Sequence, residues 1–183
     1  MKTGRSICPP QTAAPERERL QKSLQGAKGN PPRRAPGIAD AVPFVPMDIM
    51  GYRVTPLPAR HAPSIGSVIY LIEKDGKAVL WDHDSGLMLP ETIEYLRGLD
   101  VHLDFVSLDC NLARGQNISP YHMDVLQASE TAQLLRRMGR ADERTRFFIS
   151  HFSHLLDRTH AELCEEAKEF GFEAAYDGME IDI

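Results

Sequence analysis

The sequence has no long hydrophobic run. None of its apolar stretches approaches the roughly 20 residues that a membrane-spanning helix requires. Lys2 and Arg5 precede no apolar segment of the kind found in secretory signals. We therefore expect neither a membrane partner nor a secretory leader.

Cysteine is also scarce. Cys8, Cys110 and Cys164 lie far apart and form no Cys-x-x-Cys pair. This spacing is typical neither of a disulfide framework nor of a cysteine-rich zinc site. We therefore expect a protein of the reducing cytoplasm.

Charge and proline are unevenly distributed over the 183 residues. Residues 1–40 carry eight Lys and Arg against three Asp and Glu, whereas residues 41–183 carry 13 against 23. Eleven of the 13 prolines precede residue 64. A basic segment with few large aliphatic residues cannot form a core, so we predict a disordered leader over residues 1–41 and a folded domain over residues 42–183. The acidic domain argues against nucleic acid as a partner.

From Tyr52 onward, strand patterns alternate with helix patterns. Strands are predicted at 52–57, 67–73, 77–81, 105–108, 147–149, 172–175 and 179–183, and helices at 90–99, 124–138 and 159–170. Asp75-Gly76 between two β-rich runs predicts a hairpin. This alternation indicates a layered α/β domain.

Histidine and aspartate follow three of the predicted strands. His61 comes after the first, Asp82-His83-Asp84 after the second strand of the hairpin, and Ser150-His151-Phe152-Ser153-His154 after strand 147–149. Ligands of α/β sheets bind beyond the carboxyl ends of strands. Imidazole and carboxylate groups are ligands for zinc, manganese and iron. One such histidine alone is more often a surface or core residue, but three clusters together predict a metal site.

Asp82 and Asp84 also admit another interpretation. An apolar strand followed by Asp-x-Asp resembles the nucleophile motif of haloacid-dehalogenase-type phosphatases, in which one carboxylate attacks phosphorus and the other handles a proton. Gly86 stands where that motif has Thr or Val. The metal site is therefore the favoured hypothesis.

Six segments occur in the order of a known family. They are Val54–Ala59 with His61, His83–Gly86, Leu108–Cys110, Tyr121–Asp124, Ser150–His154 and Ala175–Ile181. Together they resemble motifs of the metallo-β-lactamase superfamily, and most closely those of its phosphoribosyl cyclic phosphate phosphodiesterase branch, which belongs to the carbon–phosphorus lyase pathway. The resemblance covers about residues 42–183.

The resemblance implies a hydrolase of small phosphodiesters that uses two divalent ions, zinc or manganese. It implies that His61, Asp84 and His151 bind metal, with Asp84 bridging the two ions. His122 is similar to a histidine that contacts substrate phosphate or protonates the leaving oxygen; alternatively, it is a helix N-terminal histidine without a partner.

Three further residues are candidates for supporting positions around the metals. His154 matches a position that completes a separate zinc site in some relatives, but the cysteines of that site have no counterpart in this chain, which favours an ordering role. Asp109 ends a strand and either hydrogen-bonds a ligand or forms a turn. His83 lies beside the implied bridging residue.

The family's His-x-His-x-Asp-His segment has no counterpart, because no histidine precedes His61. Each ion then receives two ligands from this chain, whereas a catalytic zinc usually has three. The resemblance therefore covers the C-terminal half of a four-layer sandwich, expected here as a mixed sheet with helices on one face. We expect weak metal binding.

An uncovered sheet face would expose apolar surface. A second copy or a missing N-terminal half would cover it, or the leader stands in place of that half. The alternative function is a non-catalytic remnant that acts as a binding module.

Overall fold

A computed structural model describes residues 41–116 and 118–183 as a seven-stranded sheet with α-helices. The strands are β1 (Met47–Ile49), β2 (Tyr52–Pro58), β3 (Val68–Lys74), β4 (Lys77–Asp82), β5 (Phe105–Asp109), β6 (Arg146–Ser150) and β7 (Glu173–Ala174). The helices are α1 (Pro90–Gly98), α2 (Val125–Arg137) and α3 (His160–Glu169). Apart from residue 41, the predicted leader lies outside the described residues. No helix in the described part has the length and apolarity needed to cross a membrane.

The strands lie side by side in chain order. β1 to β4 pair antiparallel, and β4 to β7 pair parallel. Consequently β2, β4, β5 and β6 all point the same way. Their carboxyl ends meet at one edge of the sheet, where a ligand site is expected.

Local sequence signals set the boundaries of several elements. Asp75 and Gly76 both have positive φ, 51° and 78°, as the tight hairpin between β3 and β4 requires. Asp124 begins α2 with a capping box, because its carboxylate accepts from the Gln127 amide at 2.8 Å while the Gln127 side chain accepts from the Asp124 amide. Asp124 thereby fixes the point at which the preceding loop enters α2.

One face of the sheet carries the core. Alternate strand residues such as Leu80, Val106 and Ile149 are buried with residues from all three helices, including Leu96 and Leu135. This period-two alternation places one apolar row of each strand against the helices. The predicted mixed sheet with helices on one face is confirmed.

The opposite face carries Trp81, Phe105 and Phe148. The C-terminal segment, residues 175–183, lies over part of it and encloses a cavity of about 280 Å³. The prediction of a strand at 179–183 is wrong: the segment has an alternating apolar pattern, but it packs on the sheet face without joining the ladder. Trp81 is still 43% exposed.

Candidate metal centre

The sheet brings the predicted residues to one edge. His61 follows β2, Asp84 follows β4, Asp109 ends β5 and His151 follows β6. His122 reaches the same place from the loop between β5 and α2. We call these five residues the histidine–aspartate cluster.

Asp84 lies at the centre of this cluster. Its Oδ1 atom is 3.2 Å from His151 Nε2, 3.5 Å from His61 Nδ1 and 3.6 Å from His122 Nδ1. The Asp84 side chain is 42% exposed, so the carboxylate is open to solvent and to a ligand. One carboxylate oxygen therefore faces three imidazoles from three different parts of the chain.

Asp109 is the buried partner of His122. Its carboxylate is fully buried and accepts hydrogen bonds from the backbone amides of Asn111 at 3.1 Å and Met123 at 2.9 Å. The second oxygen is 3.2 Å from His122 Nδ1. These hydrogen bonds fix the position of the Asp109 carboxylate, and the carboxylate in turn orients the His122 imidazole. Asp109 thus has a defined set of partners rather than only a turn-forming role.

The donor set of the cluster suits a divalent ion. One ligand atom each from Asp84, Asp109, His122 and His151 lies within 4.8 Å of the other three. Two atoms that each bind an ion at about 2.1 Å with tetrahedral angles lie about 3.4 Å apart. The three distances to Asp84 Oδ1, 3.2 to 3.6 Å, match this separation. The residues present therefore fit a divalent metal.

Asp82 differs from Asp84 in its surroundings. Its side chain is fully buried, and neither carboxylate oxygen has a hydrogen-bond partner. Burial, and after it the negative charge of Asp109, raises the pKa of Asp82 well above its usual range, although Ser85 opposes the shift. A buried carboxylate cannot attack a substrate, so the geometry argues against a nucleophilic pair of Asp82 and Asp84.

The backbone is strained at two members of the cluster. Asp84 has a φ of 59° and His151 a φ of 63°, both in the left-handed region. For residues with a Cβ atom this conformation costs about 1–2 kcal/mol. Asn111 stabilises the backbone conformation of His151, because its side-chain amide donates to the His151 carbonyl at 3.1 Å.

Of the two remaining predicted residues, His83 contacts the cluster and, in the part of the chain that the structure describes, His154 does not. The His83 ring is edge-on to the His151 ring, with centroids 4.6 Å apart. Burial, and after it the proximity of His151, lowers the pKa of His83 and favours its neutral form. His154 is exposed on a short 3-10 turn, His154–Leu156, with no contact to the cluster among the described residues.

Sequence reasoning missed two contacts of this site. The Tyr121 carbonyl lies 3.3 Å from His61 Nδ1, and Asn111 supports the His151 backbone. Both come from the loop between β5 and α2. The carbonyl contact of Tyr121 could not be predicted from residue types, because every residue has a backbone carbonyl. The position of Tyr121 next to His122, in one of the family-like segments, was the one indication that Tyr121 lies near the site.

No family model matches the chain, and no curated protein matches it significantly.

Comparison of folds does find solved neighbours. The metallo-β-lactamase fold protein YhfI from Bacillus subtilis has a TM-score of 0.51 and 19% identity, covering 73% of this chain and 49% of YhfI. An isothiocyanate hydrolase from Delia radicum gut bacteria has a TM-score of 0.53 and 14% identity, covering 80% of this chain and 58% of that enzyme. The chain therefore spans about half the length of these neighbours. At these identities the likeness concerns the fold, and the chain has an α/β fold of the metallo-β-lactamase type.

Proposed function

We propose that the chain belongs to a metal-dependent hydrolase that acts on phosphodiester-type substrates. The observation that carries this proposal is the position of His151 Nε2 and His61 Nδ1, which lie 3.2 Å and 3.5 Å from one oxygen of Asp84. Imidazole nitrogens and a carboxylate oxygen at such separations are typical donors for a catalytic divalent ion. The fold shared with a solved hydrolase supports the reaction class.

In this proposal His61, Asp84 and His151 are the metal ligands. Two divalent ions, zinc or manganese, would be held by these residues, with Asp84 serving both, His61 serving one and His151 the other. When bound, such ions polarise a substrate oxygen and lower the pKa of water. The chain then supplies two ligands to each ion, so we expect weak binding by the isolated chain.

His122 has a separate role as the proton donor to the leaving oxygen. Its Nδ1 lies closer to Asp109 than to Asp84, 3.2 Å against 3.6 Å. A hydrogen bond from Nδ1 to the Asp109 carboxylate leaves Nε2 as the nitrogen that exchanges a proton with substrate. Asp109 thereby sets the tautomer of His122, which is why we assign His122 to proton transfer rather than to the metal.

The phosphodiester class is supported by the six family-like segments. Among the fold neighbours, the hydrolase from Delia radicum gut bacteria is named for isothiocyanates, so the fold alone is compatible with several substrates. The segment Tyr121–Asp124, which carries His122, is the one tied to phosphate by resemblance. A small phosphodiester is therefore the substrate class to test first.

The remaining ligands would come from a part outside this chain. The chain spans about half the length of its fold neighbours, and no histidine precedes His61. We propose that the chain corresponds to the C-terminal half and that an N-terminal half or a second copy completes the site. The same observation favours a second candidate function, a non-catalytic remnant that keeps the fold, has lost the metal and acts as a binding or interaction module.

Metal-dependent hydrolysis of bis(p-nitrophenyl) phosphate tests the proposal. The full chain with manganese or zinc should show slow turnover, and an added His-x-His-x-Asp-His half should raise it. Asp84→Ala should reduce this activity to background, whereas Asp100→Ala, which removes an exposed carboxylate after α1, should leave it unchanged. Absence of both bound metal and turnover, even with the added half, would favour the non-catalytic module. Activity that survives Asp84→Ala would refute the assigned ligands.

A further inference from the structure

A chain of side-chain hydrogen bonds runs beside the histidine–aspartate cluster. His83 Nδ1 is 3.2 Å from the Ser150 hydroxyl oxygen, and that oxygen is 3.1 Å from the hydroxyl of Ser107. Ser107 and Ser150 are both buried. His83 directly follows β4, Ser107 lies in β5 and Ser150 ends β6, so the hydrogen bonds link three neighbouring strands.

This chain joins the two strand ends that carry proposed ligands. His83 directly precedes Asp84, and Ser150 directly precedes His151. β5 lies between β4 and β6, so these strands are about 10 Å apart and share no backbone ladder. The hydrogen bond between His83 and Ser150 is therefore a direct link across the middle strand.

Two neighbouring rings contact the His83 imidazole. Its ring stacks on Trp81, with centroids 6.0 Å apart and an interplanar angle of 23°. Its other neighbour is the His151 ring at 4.6 Å. The His83 ring, once held by these contacts, restrains the His151 imidazole that packs against it. Its hydrogen bond to Ser150 also fixes the residue that directly precedes the strained His151 backbone.

We infer that His83 is a positioning residue, which holds Asp84 and His151 at the separation that a metal ion requires by clamping the end of β4 to Ser150. The inference rests on the proposed function, because Asp84 and His151 are ligands only in that proposal. Groups that orient metal ligands typically contribute 10- to 100-fold to metal affinity. His83 acts through its link to Ser150 and does not bind the metal.

Zinc affinity of single and double variants tests this assignment in the full chain. His83→Ala and Ser150→Ala should each weaken zinc binding by about 10- to 100-fold. The double variant should be no weaker than either single variant, because both remove the same link. His83→Asn, which keeps a hydrogen-bonding group, should recover part of the loss. His102→Ala is the matched control, since that imidazole pairs with Asp142 at the far edge of the sheet.

The alternatives give different patterns. A loss in His83→Ala as large as in Asp84→Ala, with none in Ser150→Ala, would identify His83 as a ligand and overturn the inference. Independent losses that multiply in the double variant, or no loss in either, would also overturn it.

A metal-free measurement separates this inference from the proposed function. In the NMR spectrum without metal, nuclear Overhauser contacts between the His83 and His151 rings should be present in the parent chain and lost in Ser150→Ala. If the parent chain binds no zinc but loses the ring contacts only in Ser150→Ala, the proposed function fails, whereas the clamp formed by the hydrogen bond between His83 and Ser150 is supported. If zinc binds but the contacts persist in Ser150→Ala, the clamp fails alone.

Discussion

Gly86 packs directly on the backbone of the loop that carries His122. A Cβ atom added at Gly86 would lie 2.0 Å from the Pro120 carbonyl oxygen and 2.9 Å from its carbon. The Gly86 amide also donates to the Arg60 carbonyl at 3.1 Å, so the glycine is held from a second side. Relief of the clash in Gly86→Ala requires a backbone movement of about 1 Å, since non-bonded heavy atoms normally lie more than 3 Å apart.

The expected loss follows from this overpacking. Forced insertion of a methyl group into a packed site costs about 1–3 kcal/mol. For a domain of this size each kcal/mol changes Tm by about 2–4 °C, so Gly86→Ala should lower Tm by about 2–12 °C. Zinc affinity should also fall, because Tyr121 follows Pro120 directly and its carbonyl contacts the proposed ligand His61.

Gly98→Ala is the matched control. Gly98 ends α1, and a Cβ atom there has no heavy atom within 4 Å. Alanine in a helix is preferred to glycine by up to about 1 kcal/mol, so this variant should keep or slightly raise Tm. If calorimetry shows the same Tm for Gly86→Ala as for the parent chain, the loop does not pack on Gly86 and the placement of His122 is wrong.

Three further predictions concern the buried acid, a buried thiol and the proton donor. Because burial raises the pKa of Asp82, the folded state is disfavoured increasingly as pH rises above the ordinary carboxyl pKa. Asp82→Asn should therefore raise Tm more at pH 8 than at pH 5; an equal change at both would show that Asp82 is not buried. Burial raises the pKa of Cys110 to about 12, so with Cys8 and Cys164 replaced by serine the native chain should not react with Ellman's reagent at pH 8 and should react in guanidinium. Fast labelling of the native chain would contradict this. His122→Gln should lower diester hydrolysis by about 10²–10⁴-fold with metal content unchanged, and loss of metal would instead make His122 a ligand.

Local patterns predicted the elements whose signals are confined to a few neighbouring residues. The Asp75-Gly76 hairpin and the start of α2 at Asp124 both depend on residues within one turn. β1 was not predicted, because its three residues are extended only through pairing with β2. The alternation at 179–183 predicted a strand, but packing on the sheet face satisfies the same pattern.

The site, too, has a part that local sequence predicted and a part that depends on tertiary contacts. His61, Asp84 and His151 follow strands, so the rule that ligands gather at carboxyl ends brings them together from sequence. The contact between Asp109 and His122 depends on the path of the loop between β5 and α2. The two residues are 13 positions apart in the sequence, and tertiary contacts of the loop bring them together. The clamp between His83 and Ser150 spans 67 residues and crosses a strand. Neither pairing has a local signal.

A crystal of the full chain soaked in zinc tests the central claim most directly, through an anomalous difference map at the zinc absorption edge. The account predicts a peak about 2.0–2.2 Å from Asp84 Oδ1 that is also in bonding contact with His151, with His61 or with both through separate ions. A map without a peak at Asp84, or with zinc bound only elsewhere, such as at His102 and Asp142, would contradict the account.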